Sequence, residues 1–192
     1  AIKGRVATGI EINPVGWIYG RTKLAPASKG RVKKRIWDIA HSINEQVRTE
    51  AAALPQFFNH CFSKSVLEYL VAARNYLNWK TGSVDRTLMA FILIHLHGRR
   101  SSSLSNQMRQ SKSMSPEYSI NWWEDKNLSP PELDPVIFLL KRLDWRYKKG
   151  IPKTTGSQVM LGDSRSWLKR LKSKKAKGKQ KPYKLLLTSP PY

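Results

Sequence analysis

The sequence predicts an α/β fold, with a partial parallel sheet and a large, mainly helical insertion. Short apolar segments rich in strand-forming residues lie near both ends of the chain, at residues 5–12, 156–161 and 183–187. Between them, apolar residues recur at helical spacing through most of residues 25–151. Strands that are separated by helices typically form parallel sheets.

The first strand is predicted at residues 5–12, where the sequence RVATGIEI ends at the turn signal Asn13-Pro14. Residues 15–24 are predicted to form the helix that follows. We therefore expect Glu11 near the carboxyl end of a buried strand, and we assign residues 1–24 to the sheet.

The middle segment, residues 25–151, is predicted to be a mainly helical insertion. Apolar spacing indicates helices at 31–48, 65–79, 85–97 and 133–149, with Ser83 as the N-cap of the third. That third helix is apolar almost all round, so we expect it to be the buried core helix. The Ser-rich stretch at 101–115 is predicted to be a loop.

The chain is predicted to return to the sheet over residues 152–192. Gly162-Asp163 follows the strand at 156–161. A helix is expected to start at 167–171 and to end where the lysine-rich connection begins. Thr188 to Tyr192 (TSPPY) follows the strand at 183–187. Ligands of such sheets bind at the carboxyl ends of the strands, so we expect Glu11, Asp163 and the closing motif at one edge.

The net charge favours a polyanionic partner. Lys and Arg number 35 and Asp and Glu number 13, which gives a formal charge of +22. Residues 141–184 alone contain 16 Lys or Arg and two acids. Because each phosphate contact releases condensed counterions, nucleic acid is the leading partner. An anionic membrane surface and ribosomal-type structural binding are the alternatives that charge leaves open.

The cysteine content and the hydropathy favour a cytoplasmic protein. Cys61 is the only cysteine, so no disulfide can form within the chain, and we expect it to be a small buried apolar residue. The longest apolar run, residues 88–96, is shorter than the roughly 20 residues that span a bilayer. We expect no membrane and no metal partner, and the oligomeric state stays open.

Three segments, in this order along the chain, resemble a known family. GIEINP at 9–14, GDSR at 162–165 and LLLTSPPY at 185–192 are similar to the nucleotide- and base-binding motifs of S-adenosylmethionine-dependent DNA amino-methyltransferases. The segments LPQFFNHCFSKSVLEYL, SLSNQM and SPEYSINWW resemble the middle region of bacterial site-specific DNA methylases. The resemblance covers nearly the whole chain and implies a Rossmann-like methyltransferase sheet.

The resemblance implies a cofactor site at the first two strand ends. Glu11, with Ile12 beside it, would hold the ribose hydroxyls of S-adenosylmethionine. Asp163, followed by Ser164, would lie near the adenine amino group. A carboxylate suits this role because it accepts hydrogen bonds from both vicinal hydroxyls of a ribose.

The resemblance also implies a base-binding site at Ser189, Pro190, Pro191 and Tyr192. These residues would receive a base flipped out of the DNA helix. Ser189 and the Pro190 carbonyl would accept hydrogen bonds from the exocyclic amino group, and Tyr192 would stack on the base. Ser189 at the first motif position favours cytosine N4 over adenine N6 as the methylated atom.

Alternatives to this function stay open. They are an adenine-N6 DNA methyltransferase, an RNA or protein-glutamine amino-methyltransferase, and a non-enzymatic basic nucleic-acid-binding module. A restriction–modification system is the expected setting of the leading function.

The resemblance also implies that the sequence is incomplete at both ends. It starts at Ala1 and stops inside a motif, so we expect a glycine-rich loop upstream and a target-recognition region downstream. A sheet without the strand before that loop has unpaired backbone groups, so we expect the isolated chain to be poorly stable and inactive.

Overall fold

The computed structural model describes residues 5–99, 102–108, 115–148, 150–151, 154, 156–176 and 183–187, with the backbone alone for 171–176. Most of these residues are helical. The elements follow one another in the order β1 (Thr8–Glu11), α1 (Pro14–Leu24), α2 (Lys29–His41), α3 (Glu45–Ala52), α4 (Gln56–Cys61), α5 (Lys64–Tyr76), α6 (Ser83–Ile94), α7 (Pro116–Asp125), α8 (Pro135–Tyr147), β2 (Gln158–Leu161) and α9 (Ser164–Ala176).

β1 and β2 form a parallel pair. Thr8 is opposite Gln158 and Glu11 is opposite Leu161, so both strands end at the same edge. The backbone N–H of Gly162 donates to the Glu11 carbonyl at 2.9 Å, which continues the pairing past the end of β2. The α/β class and the parallel arrangement are confirmed. Within the described residues the sheet has these two strands, and each pairs on one side.

Helix α1 joins the sheet to the helical region. It begins where the sequence signals it, because Asn13 caps it by accepting from the backbone N–H of Val15 at 2.9 Å and Pro14 is its first residue. Trp17 is 9% exposed and donates from Nε1 to the Val159 carbonyl at 3.0 Å. Trp17 and Ile18 form a small buried cluster with Ala90 of α6.

The main hydrophobic core lies among the helices of the middle segment, which is helical as its apolar spacing predicts. Tyr69, Trp123 and Leu139 are fully buried there. Their polar atoms are paired, since Trp123 Nε1 donates to the Gln107 carbonyl at 2.7 Å and Tyr69 Oη donates to the Ile36 carbonyl at 3.2 Å. Cys61 is also fully buried, as expected of a small apolar residue.

Helix α6 is the buried helix that the sequence predicts, with one error at each end. Leu88, Phe91 and Ile92 are buried in it. The predicted cap at Ser83 is wrong, because Gly82 is the N-cap and Ser83 is the first helical residue. The helix also ends at Ile94, earlier than predicted.

Of the helices in the described part of the chain, none is long and apolar enough to cross a membrane.

The predicted helix at 31–48 is two helices. α2 ends at His41, and Asn44 starts α3 by accepting from the backbone N–H of Val47 at 3.0 Å. The apolar spacing continues across the break because both helices bury apolar residues in the same core, so the spacing hid the cap. Helices α4 and α7 were not predicted, although Ser115 caps α7 and Pro116 is its first residue.

The last two predictions differ most from the structure. α9 begins at Ser164, earlier than predicted, and runs to Ala176 through the first lysines. The strand predicted at 183–187 is wrong, because these residues lie in neither a helix nor a strand. Leu185, Leu186 and Leu187 are 70%, 77% and 83% exposed. A strand needs a neighbour to pair its backbone groups, whereas hydrophobicity indicates only that the side chains favour burial.

Candidate cofactor-binding edge of the sheet

The candidate site is the edge at which β1 and β2 end. The structure describes four of the predicted site residues: Glu11 and Ile12 after β1, and Asp163 and Ser164 after β2. Because Glu11 is opposite Leu161 in the register, the two pairs lie side by side at this edge, as predicted. Ser189, Pro190, Pro191 and Tyr192 lie outside the described residues.

The Glu11 carboxylate is held at the start of α1. Its Oε1 accepts from the backbone N–H of Asn13 at 2.9 Å. Negative charge is favoured at a helix N-terminus, where the backbone N–H groups point outward. The carboxylate therefore has a structural function in the strand–helix turn.

Gly16 makes room for this carboxylate. A Cβ at this position would lie 2.7 Å from Glu11 Oε2, which no real side chain tolerates without a shift. Gly16 is therefore a site residue that the sequence reasoning missed. The available signal was a glycine in the first turn of a helix, where its low helix propensity is a cost that needs a reason.

Asp163 is an ionised acceptor at the start of α9. Its Oδ1 accepts from the backbone N–H of Arg165 at 2.8 Å, and its Oδ2 forms an ion pair with Arg165 Nη2 at 2.7 Å. The side-chain hydrogen bonds from Arg165, followed by the backbone one, lower the pKa of Asp163. The Arg165 side chain is 87% exposed, so it can turn into solvent and release an oxygen of Asp163.

The turn between β2 and α9 requires glycine. Gly162 has a φ of +142°, and a Cβ there would lie 2.8 Å from Trp167 Nε1. Trp167 Nε1 donates to the Leu161 carbonyl at 3.2 Å, which fixes the indole over the end of the strand. Gly162, Arg165 and Trp167 thus position Asp163, a network that the residue types alone did not indicate.

The remaining two residues complete the edge with one apolar and one polar side chain. Ile12 is 72% exposed, which is unusual for a large apolar residue next to a strand. Ser164 is exposed at the first position of α9. Two carboxylates and an exposed apolar side chain at one sheet edge suit a ligand with hydroxyl or amino donors and a flat apolar ring. The adenosine part of S-adenosylmethionine has these groups.

In the described part of the chain, no three His, Cys, Asp or Glu side chains form a group that could hold a metal ion. His95 and His97, which are close in sequence, lie past the end of α6 and not on it.

Comparisons of the chain with protein-family models, with curated proteins and with solved structures found no match. The resemblance to the amino-methyltransferases therefore depends on the sequence segments, and the geometry of the sheet edge is an independent observation.

Proposed function

We propose that this chain belongs to an enzyme that transfers a methyl group from S-adenosylmethionine to an exocyclic amino group of a flipped DNA base, with cytosine N4 preferred. The observation that carries the proposal is the parallel register of β1 and β2, which places Glu11 and Asp163 at one edge. The whole helical segment separates the two strands in the sequence, so their pairing is not a consequence of local sequence.

Glu11 and Asp163 have different roles in this proposal. Glu11 accepts hydrogen bonds from the ribose hydroxyls, with its carboxylate pre-oriented by the Asn13 N–H. Asp163 accepts from the adenine amino group once Arg165 gives up one oxygen. Ile12 contacts the adenine ring. Preformed acceptors lower the entropy cost of ordering the ligand.

The transfer requires positioning more than acid–base power. S-adenosylmethionine supplies a methyl group on a positively charged sulfur, which becomes a neutral thioether when the methyl leaves. Ser189 and the Pro190 carbonyl accept hydrogen bonds from the N–H groups of the amino group, which favours a tetrahedral nitrogen and stabilises its developing positive charge. The nitrogen then loses one proton to solvent. Tyr192 holds the flipped base by stacking.

The direct test is methyl transfer. The protein in its full natural length is incubated with labelled S-adenosylmethionine and duplex DNA, and the DNA is digested to nucleosides for mass spectrometry. We expect N4-methylcytosine. N6-methyladenine would identify adenine as the target base. Label found only in RNA or in protein would identify an RNA or protein-glutamine amino-methyltransferase. Nucleic-acid binding without any transfer would contradict the proposal and favour a basic binding module.

The cofactor site is tested by calorimetry with Glu11→Gln and Asp163→Asn. Each replaces a charged acceptor by a neutral amide, and loss of a hydrogen bond to a charged group typically weakens binding about tenfold or more. Asp38→Asn is the matched control, because Asp38 pairs with Lys34 on the surface of α2. Unchanged affinity for S-adenosylmethionine in both site variants would contradict the assignment.

A further inference from the structure

A cleft between α1, α6 and α8 lies apart from the residues of the proposed cofactor site. Its volume is about 250 Å³. Its walls are fixed by contacts that do not involve a ligand: the rings of Phe91 and Tyr147 stack with their centroids 6.4 Å apart, and Tyr147 Oη donates to the Ala27 carbonyl at 2.6 Å. The cleft is therefore a formed feature of the fold, and we name it the aromatic cleft.

Large apolar side chains stand exposed at the mouth of the aromatic cleft. Trp145 is 70% exposed and Ile94 is 55% exposed, whereas most aromatic side chains of the neighbouring helices are at least half-buried. Tyr19 of α1 adds a further ring to the wall. Exposed apolar groups that line a preformed concavity typically mark a binding site.

The rim of the aromatic cleft is positively charged. Lys23, Arg142 and Arg146 line it, and none of the described residues that line it is acidic. Arg142 is held in place, because its Nη2 donates to the Ser102 carbonyl at 3.1 Å and its guanidinium lies over the Phe138 ring. The ligand that complements this rim is an anion with a flat apolar part.

The positive charge continues from the rim onto α2. Lys29 of α2 pairs with Asp144 of α8 at 2.8 Å. The hydrogen bond from Lys29 is the largest cause of a lowered pKa of Asp144, and the charges of Lys33 and Lys148 lower it further. Two lysines of α2 and the lysine that follows α8 therefore act on one carboxylate, which leaves an excess of positive charge next to Trp145.

We infer that the aromatic cleft binds an unpaired nucleotide of a nucleic acid, with its base between the rings and Trp145 and its phosphates on the rim cations. Single-strand binding sites combine these two features, a basic path for the backbone and aromatic rings for the bases. The inference takes its partner class from the proposed function, because flipping a base leaves nucleotides unpaired. The helical segment would therefore contact the single-stranded part of the nucleic acid.

The test is fluorescence anisotropy of the full chain with an oligothymidylate of about 12 nucleotides, a length typical of single-strand sites. Trp145→Ala is expected to weaken binding about five- to hundred-fold, the usual effect of removing one stacking ring. Trp145→Phe keeps a ring and is expected to restore most of the affinity. A duplex of similar length is expected to show less than about a twofold change with Trp145→Ala, since its bases are not free to stack.

The rim cations are tested with the pair Lys23→Gln and Arg146→Gln. This double variant is expected to lower the dependence of binding on salt concentration. Each phosphate contact releases condensed counterions, so a variant that makes fewer contacts releases fewer of them. The matched control is Lys64→Gln with Lys126→Gln, which removes the same charge elsewhere. Lys64 is the first residue of α5. The hydroxyl of its neighbour Ser65 donates to the carbonyl of Leu133, which precedes the first residue of α8, whereas Trp145 lies near the last. Circular dichroism of each variant verifies folding.

Three outcomes would overturn the inference. One is equal loss of affinity in the Lys64/Lys126 control and in the rim variant. Another is single-strand binding that does not change with Trp145→Ala. The third is Trp145-dependent binding to anionic phosphatidylserine vesicles without binding to the oligonucleotide, which would identify a membrane surface. Methyl transfer is measured separately, so that loss of transfer with intact Trp145-dependent binding contradicts the proposed function alone.

Discussion

The helical segment and the edge of the two-stranded sheet are built in opposite ways. In the helical segment, one large cluster of buried side chains joins α2 to α8, and its buried polar groups are paired across long sequence separations. At the sheet edge, the residues that carry the proposed chemistry are exposed or half-buried, and short local hydrogen bonds hold them. A substitution in the first region should affect the whole fold, whereas one in the second should act locally.

This difference shows where stability and function lie in the molecule. The cluster of Trp17, Ile18 and Ala90 is small and is the packing that links the sheet to the helices. The sheet edge therefore depends on α1 for its position and on glycines for its turns. Substitutions in each region test this contrast.

Trp123→Ala is expected to have the largest effect on stability. Trp123 is fully buried and contacts the ring of Phe57. Its removal leaves a large cavity and an unpaired Gln107 carbonyl, so we expect the free energy of unfolding in urea to fall by about 3–5 kcal/mol. The control is Trp37→Ala on α2, where the side chain is 43% exposed. Equal losses in both variants would contradict the contrast between core and surface.

Asn106→Ala is expected to cost about 2–3 kcal/mol, because it leaves buried carbonyl groups without donors. Asn106 is fully buried, and its Nδ2 donates to the His60 and Leu128 carbonyls at 3.1 and 3.0 Å. Urea unfolding measures the loss. The neighbouring Gln107→Ala serves as the control because the Gln107 side chain is exposed. A loss under about 0.5 kcal/mol, the usual size for a surface change, would show that these bonds contribute little.

Gly162→Ala is expected to act on the sheet edge alone. The positive φ and the contact with Trp167 strain any other residue there, at a cost of about 1–3 kcal/mol. Hydrogen exchange should become faster at the amides of β1 and β2, while the urea midpoint of the helical region stays unchanged. Gly30→Ala is the control, since nothing lies within 4 Å of its added Cβ. A global loss of stability would show that edge and core unfold together.

The pH dependence through His95 is expected to be the smallest effect. Burial, and then the charge of Arg142, lower the pKa of His95 in the folded protein. The unfolded chain therefore binds the proton more tightly, and the stability from neutral His95 is lost as the pH falls below about 6.5, the ordinary histidine value. His95→Gln should flatten the decline in stability of the wild-type protein between about pH 7 and 5. Identical slopes would contradict the prediction.

Local signals in the sequence predicted much of the fold. The turn at Asn13-Pro14, the apolar spacing of α5 and α6, and Pro135 at the start of α8 each indicate an element that the structure contains. Cap residues act on the adjacent backbone, so their effect can be read from a few positions. The prediction fails at 31–48, where continuous apolar spacing conceals the cap at Asn44, and at 183–187, where three consecutive leucines are typical of a buried strand but form none.

Part of the sheet edge was predictable from the sequence. Glu11 and Asp163 could be located because an acid after an apolar segment is a local pattern. Gly16 and Arg165 could not, because their roles depend on the distance to a carboxylate that only the folded turn defines. The aromatic cleft was not predictable either, since its residues come from three helices that are far apart in the sequence.

The sequence by itself determined the charge, the α/β class, the order of the family-like segments and the approximate location of several helices, because these follow from local composition and backbone preference. The tertiary structure decided the register that brings Glu11 opposite Leu161, the pairing of buried polar groups such as Asn106, and the cleft beside Trp145. Such features arise from packing between distant segments, where the burial of apolar surface selects one arrangement among many that local preferences allow.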